Sequence, residues 1–547
     1  MKPLLYETAL APPSSPALGE DIHAIGCGCG GDDRTSASAQ SMGFKAWNLL
    51  RMAALGLPVP PAIVLGTSFC ADPARRAQAA DPALWRPALC TLEAATGTRL
   101  GDPKRPLLLS VRSGAPVSMP GMMETLLNVG LCDRTVEGLT RLTGNPRLAW
   151  DAYRRLVAGY GEVVAGIPAT RFEAALNCAA LDREEPDLDF AELRALTRKY
   201  LDIYVQEAGR PFPQDPAEQV TGAIAAVLDS WQSPKAREYR RINAVPDHIG
   251  TAVTLQAMVF GNAGGRSGSG VGFTRDPASG EPGLWVDFLF NAQGEDVVSG
   301  RRNAHGHDQL AQVLPAVWEE LRQAAQRLEQ ALGDMQDFEF TVQEGRLFLL
   351  QTRSGKRTPL ATARIALDLW EEGLISADQA RARTANLDPG QLLQTRLVTP
   401  DGAPPQPLAR TASACNGIAQ GEIALDEARA TARAQAGAPV ILVRQDAETS
   451  DITALEQAAG LLTQRGARTA HAAVVARQLG KVCLVGCQNL TIDLAARTIQ
   501  IGERVLEEGA VLTLDGNTGA VFAGAVETEQ EADQALLERL ARLGEAP

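Results

Sequence analysis

Five histidines in 547 residues leave few groups for acid–base, metal or phosphoryl-carrier work, so each of them carries weight. Nine cysteines are scattered, odd in number and never at CxxC spacing, which argues against a disulfide scaffold or a zinc ribbon. Reduced thiols in a cytoplasmic protein are the expectation. His23, Cys27 and Cys29 cluster in a Gly-rich stretch without an evident fourth ligand, and a flexible lead-in is favoured there over a metal. No apolar run approaches the length of a membrane-spanning helix, and the opening MKPLLYETALAPPSSPALGE lacks the basic flank and sustained apolar core of a secretory signal. Basic residues are also in deficit, 52 Lys and Arg against 65 Asp and Glu, for a net charge of −13. That balance argues against nucleic acid or an anionic membrane as partner, although a local basic pocket is compatible with it.

What is present has ordinary globular proportions, 45% hydrophobic and 21% charged, and a length that accommodates several cores. KAWNLLRMAALGLPVPPAIVLGTSFC (45–70) reads as an amphipathic helix stopped by Gly56, a Pro-rich turn and a strand. Residues 134–245 are helical in pattern. From 250 the texture turns to strands, TAVTLQAMVF, GLWVDFLF and DFEFTVQEGRLFLLQTR, interrupted by a long helix that ends at Gly333. Prolines 389, 400, 404, 405 and 407 mark a linker, and a smaller α/β unit follows.

Four segments carry candidate chemistry. Six glycines fall within positions 261–272, directly after an apolar strand. Such a stretch lets backbone N–H groups approach phosphate, but its spacing is not that of a Walker loop and a plain mobile turn has the same composition. In DFEFTVQEGRLFLLQTR, Asp337 and Glu339 share one strand face, and Gln351 and Arg353 share a face of the return strand. An odd-length loop, for instance Gln343-Glu344-Gly345, makes those faces coincide, whereas a two-residue loop sets them opposite. Converging, they suit Mg²⁺ and a polyphosphate; otherwise they form a solvated hairpin face. Arg112 ends the apolar strand of LLLSVRSGAPVSMPGMMETLLNVGL, followed by Met119, Met122 and Met123, which are either core filler or an adaptable lid. In RTAHAAVVARQLGK (468–481), His471 stands in the first turn of an apolar helix closed by Gly480, with Thr469 near the cap. A capping or core histidine is the bland reading. A phosphorylated imidazole would suit the same place, facing the positive helix end and its open N–H groups.

In this order and over roughly residues 41–525, SVRSGAPVSMPGMMETLLNVGL, FGNAGGRSGSGVGFTRDPASGE, NAQGEDVVSG, LLQTRSGKRT and RTAHAAVVARQLGK resemble the signatures of the pyruvate phosphate dikinase family. The resemblance implies a multidomain α+β and α/β protein: a lead-in at 1–40, an ATP-grasp nucleotide-binding domain at 41–358 with a helical insertion at about 134–245, a helical and Pro-rich linker at 359–409, a swivelling β/β/α phosphohistidine domain at 410–525, and a charged helical tail at 526–547. By family role Lys45, Arg112 and Arg353 hold the phosphates of ATP and inorganic phosphate, and the stretch containing Gly268 and Gly270 covers the nucleotide. Asp337, Glu339 and Gln351 arrange Mg²⁺, His471 attacks the β-phosphoryl group, and Thr469 matches a position that some members regulate by phosphorylation.

Several positions depart from the family pattern. Phe44 and Ala46 flank Lys45 where the family has glycine, Ala470 replaces a serine, and Arg468 replaces an apolar residue. The chain stops at Pro547, where the family's phosphoenolpyruvate/pyruvate barrel begins, so the phosphoryl acceptor is expected on a separate protein docked specifically, with the charged tail as a candidate docking element, although a solvated linker remnant is favoured for that tail. The leading expectation is a dikinase-type half-reaction that uses ATP and phosphate and leaves AMP, pyrophosphate and phosphorylated His471. The alternatives are the same half-reaction with a small-molecule or water acceptor, and a nucleotide-binding regulator without turnover.

Overall fold

The structure is a computed structural model of the chain. It describes residues 18–28, 37–117, 119, 122–181, 183, 185–298, 305–398, 406–446, 451–466, 468 and 471–545. It is a mixed α/β multidomain chain whose internal contacts divide it into two compact units, Met1–Ala263 with Phe348–Gln351, and Gly264–Leu347 with Thr352–Pro547. Among the described residues no helix is long and apolar enough to cross a membrane.

The first unit is built on a five-stranded sheet of order β1-β2-β5-β3-β4, with β1 Ile22–Ile25, β2 Ala62–Leu65, β3 Leu109–Gly114, β4 Thr125–Val129 and β5 Ala252–Ala257. All of these ladders are antiparallel. Every residue of β2 and β5 is buried, as expected of strands covered on both faces. Strand β1 corrects the expected lead-in: Ile22 and Ile25 are buried, and their backbone pairs with Leu65 and Ala62 at the sheet edge. Six helices lie between Val136 and Ile242. Asn145, Asp189, Asp215 and Ser233 cap four of them by accepting first-turn N–H groups. Met119, Met122 and Met123 pack with this unit's core, so the core-filler reading of the Met-rich loop holds for them.

The second unit begins with a sheet of order β10-β9-β6-β7-β8, in which β6 is Gly268–Arg275, β7 Pro282–Phe290, β8 His305–Gly306, β9 Gln336–Gln343 and β10 Arg346–Ser354. Here the glycine-rich stretch departs from expectation. Gly268, Gly270 and Gly272 are strand residues, not loop residues. A Cβ on them would come within 2.2 Å of Phe288 Cζ, 2.5 Å of Phe340 Cζ and 2.5 Å of Phe338 Cζ, respectively. These glycines make room for three aromatic rings. Only the residues ahead of β6 keep loop geometry, and Gly264 and Gly265 have open space at their Cβ positions.

The rest of the second unit runs from β11 (Leu393–Leu397) through β12 (Ala409–Arg410), β13 (Ala412–Cys415), β14 (Ile418–Ala424), β15 (Val440–Arg444), β16 (Gly460–Thr463), β17 (Val482–Val485), β18 (Leu490–Asp493), β19 (Thr498–Ile501), β20 (Arg504–Glu507), β21 (Val511–Asp515) and β22 (Ala520–Ala523) to β23 (Thr528–Ala532). Eight of these strands form one sheet, of order β12-β22-β21-β14-β15-β16-β17-β13. Its centre, β14 to β17, is a parallel ladder. Parallel neighbours need crossovers, and helices Glu427–Gln435, Ile452–Gln457 and His471–Gln478 supply them.

The tail is not free. Strand β23 pairs antiparallel with β11, and helix Gln534–Glu545 packs Leu536 and Leu543 into a core shared with Leu367, Leu369 and Ala380. Arg539 donates to Asp368 at 2.6 Å and to Glu371 at 2.9 Å. The charged face that suggested a docking tail is the outer side of a helix already docked on its own chain.

Candidate active site

Register places the acids of the second unit on one face. Glu339 on β9 and Asp287 on β7 both stand opposite Val271 of β6, while Asp337 and Trp285 both stand opposite Phe273. Directly opposed residues of antiparallel strands point to the same side. One face of the sheet therefore carries Asp337, Glu339, Asp287, Phe273 and Trp285, and the other carries the glycines and their Phe rings. Asp337 and Asp287 are buried and Glu339 is half-buried.

The hairpin turn is the two-residue form, Glu344 and Gly345, both at positive φ (51° and 80°). A regular two-residue hairpin would set Asp337 and Arg353 on opposite faces. Instead Arg353 Nε donates to Asp337 Oδ2 at 2.8 Å, and Thr352 Oγ1 to Gln336 Oε1 at 3.1 Å. Both contacts require the alternation to change parity along the hairpin, as a bulge does. Asp337 and Arg353 thus meet although the loop is the two-residue form. Burial pushes the Asp337 carboxyl up, and the Arg353 guanidinium opposes that rise. Gln351, two residues before Arg353 on β10, is half-buried and belongs to the stretch grouped with the first unit.

Two carboxylates on one strand face match what Mg²⁺ commonly takes from protein while drawing its other ligands from phosphate and water. Among the described residues no group of three or more His, Cys, Asp or Glu is disposed to hold a metal by itself. The donor set fits a nucleotide-bridged Mg²⁺, not an all-protein site.

His471 is the first residue of helix His471–Gln478, which follows β16 at the carboxyl end of the parallel ladder. Such ends gather ligands in open α/β sheets, because helix N-termini with open N–H groups converge there. Thr469 and Ala470 lie outside the described residues. The helix is less uniformly buried than its composition suggested: Ala473 and Ala476 are buried, Val474 and Val475 half-buried, and Leu479 is exposed. Gly480 closes it at φ 65°, as expected.

Two arginines frame this helix. Arg468 places its guanidinium 3.9 Å from the Trp285 ring centroid, with Nε 3.2 Å from Asp287 Oδ1. Arg477 is 1% exposed, and its Nε and Nη2 donate to the carbonyls of Ala414 and Arg468. Its guanidinium lies 5.5 Å from the Phe273 ring, and burial depresses its pKa. A buried guanidinium is costly, so its backbone acceptors and ring faces matter. Sequence reading missed Asp287, Trp285 and Arg477. The available signal was a carboxylate and an indole two apart in the apolar strand GLWVDFLF.

In the first unit Gly43 holds φ 77°, and a Cβ there would fall 1.8 Å from the Gly114 carbonyl oxygen, so only glycine lets helix Phe44–Ala54 start against the end of β3. Phe44 N–H donates to Ala115 O at 2.9 Å. This contact brings Lys45, exposed in the first helical turn, close to the strand end that carries half-buried Arg112. Phe44 and Ala46 are ordinary residues of that turn, Ala46 buried and Phe44 half-buried.

Residues 82–307 and 306–373 match the model of the pyruvate phosphate dikinase AMP/ATP-binding domain, and residues 436–519 match that of the PEP-utilising enzyme mobile domain. The chain thus joins a nucleotide-binding module to a mobile domain of the PEP-utilising class. It belongs to the pyruvate phosphate dikinase family. It is 44% identical over 492 residues to pyruvate, phosphate dikinase 2 of Zea mays, covering 88% of this chain and 55% of that one. It is 40% identical over 507 residues to the Clostridium symbiosum enzyme (91% and 58%), and 40% over 538 residues to the chloroplastic enzyme of Flaveria trinervia (96% and 56%). The matched region is a little over half the length of these relatives.

Proposed function

We propose that this chain catalyses a dikinase half-reaction: ATP and inorganic phosphate are converted to AMP and pyrophosphate while His471 becomes a phosphohistidine. An imidazole nitrogen attacks the β-phosphorus, and the bond to the α–β bridging oxygen breaks, so AMP leaves with that oxygen. Inorganic phosphate then takes the γ group as pyrophosphate, and the β-phosphoryl group stays on the ring. Lys45, Arg112 and Arg353 bind phosphate oxygens, with Arg353 kept in place by Asp337. Asp337, Glu339 and Gln351 would hold Mg²⁺, which when bound would supply positive charge to offset that developing on the phosphates. In fold terms, residues 41–358 act as an ATP-grasp module and residues 410–525 as a swivelling phosphohistidine domain.

The observation that supports this most is the packing around helix His471–Gln478, whose flanking Arg468 and Arg477 contact Trp285, Asp287 and Phe273 on the face that also carries Asp337 and Glu339. Relatives named for pyruvate suggest that acceptor class. Pyruvate as acceptor, a cytoplasmic location and regulation at Thr469 are parts of the same proposal. The test follows ATP by phosphorus NMR with stoichiometric protein. With phosphate present, AMP and pyrophosphate are expected in amounts equal to the protein; without it, AMP is expected but no pyrophosphate. ADP formation would overturn the reading.

A further inference from the structure

We propose that Arg468 is the positioning residue that latches the His471 helix onto the carboxylate face, through its ion pair with Asp287 and its stacking on Trp285. This rests on the phosphotransfer reading and adds how the mobile domain is held while the nucleotide reacts.

The two sides of the contact come from different modules: Arg468 lies within residues matched by the mobile-domain model, whereas Trp285 and Asp287 lie within those matched by the AMP/ATP-binding model. Arg468 Nε reaches Asp287 Oδ1 at 3.2 Å and Nη2 reaches Val286 O at 3.5 Å, while the guanidinium plane covers the indole at 3.9 Å. A planar guanidinium can stack and donate at once, which a lysine ammonium cannot do. The latch is tied rigidly to its helix. Arg477 Nη2 donates to Arg468 O at 3.1 Å, and Arg477 Nε donates to Ala414 O on β13, so the turn at Arg468, the helix and the sheet move as one piece.

The contact is also suited to letting go. It consists of one ion pair and one stack, and the Arg468 side chain keeps 20% exposure against 4% for Asp287. A partly exposed pair is screened by salt, so docking weakens as ionic strength rises.

The test measures single-turnover labelling of His471 from β-labelled ATP by rapid quench, with ATP affinity determined in parallel by equilibrium dialysis on the full chain. Arg468→Ala, Asp287→Asn and Trp285→Leu are each expected to slow labelling by at least about tenfold while ATP Kd stays within about twofold. Wild-type labelling should fall steeply between roughly 0.05 and 0.5 M NaCl, and that of Arg468→Ala much less. The double variant Arg468→Asp with Asp287→Arg should regain part of the rate lost by either change alone. If the two variants that leave buried Asp287 intact, Arg468→Ala and Trp285→Leu, label at the wild-type rate, the latch is refuted. If ATP Kd rises in step with the lost rate, Arg468 is a nucleotide ligand and the latch is likewise refuted. A wild-type protein that takes up no label refutes the underlying phosphotransfer reading instead.

Discussion

Gly272→Ala separates the two roles available to the glycine-rich strand. The added methyl would stand 2.5, 2.9 and 3.1 Å from three ring atoms of Phe338, a side chain with 0% exposure. Carbon atoms rest about 3.5–4.0 Å apart, so the ring must retreat by roughly 1 Å into packed surroundings. Overpacking of this kind costs about 1–3 kcal/mol. For a unit of this size each kcal/mol lowers Tm by roughly 2–4 °C, which gives an expected drop of about 2–12 °C. Because the three nearest clashes are all with one side chain, Phe338→Leu should relieve them, and the double variant should be more stable than the sum of the single changes predicts. The assay pairs a thermal scan with the KM for ATP. A lower Tm with KM unchanged is expected. An unchanged Tm with a much higher KM would mean that the glycines serve the nucleotide directly, and the packing argument would fall.

Other predictions follow from separate parts of the molecule. In the helical insertion, burial works to raise the Asp151 carboxyl, but Arg155 and Arg154 outweigh it and hold it down to about 2. A depressed acid stabilises the fold above its unfolded pKa and loses that contribution as pH falls, so Asp151→Asn should cost about 3 kcal/mol at pH 7 and progressively less between about pH 4 and pH 2, measured by urea titration. Leu543→Ala, which empties a site with 2% exposure under the tail helix, should cost about 2–5 kcal/mol locally and expose residues 534–545 to limited proteolysis. Glu339→Gln should raise the Mg²⁺ concentration needed for half-maximal labelling of His471 without lowering Tm; an unchanged requirement would remove Glu339 from the metal site.

Much of the architecture was legible in the sequence because its signals are local. The apolar runs at β2, β5, β7 and β15, the helical 134–245 stretch, and Gly333 and Gly480 as helix ends each follow from periodicity or turn chemistry within a few residues. What was not legible depends on partners distant in the chain. Glycine in a strand looks like glycine in a loop until Phe288, Phe338 and Phe340 are known to lie across from it. The tail reads as a solvated charged helix because the surface that Leu536, Leu537, Leu540 and Leu543 cover is formed by residues some 160 positions earlier. At the site, Asp337 and Glu339 on one face followed from alternation alone, whereas Arg353 reaching Asp337 needed a break in alternation that no sequence pattern announces. Asp287 and Trp285 were readable as a polar pair inside an apolar strand, but their partner Arg468 comes from another module.

The central claim is most directly tested by the origin and destination of one phosphoryl group. Protein incubated with Mg²⁺, phosphate and ATP labelled at the β position should carry acid-labile, base-stable label on the peptide that contains His471, and His471→Ala should carry none. Label that arrives from the γ position, or that persists in His471→Ala, would contradict the account.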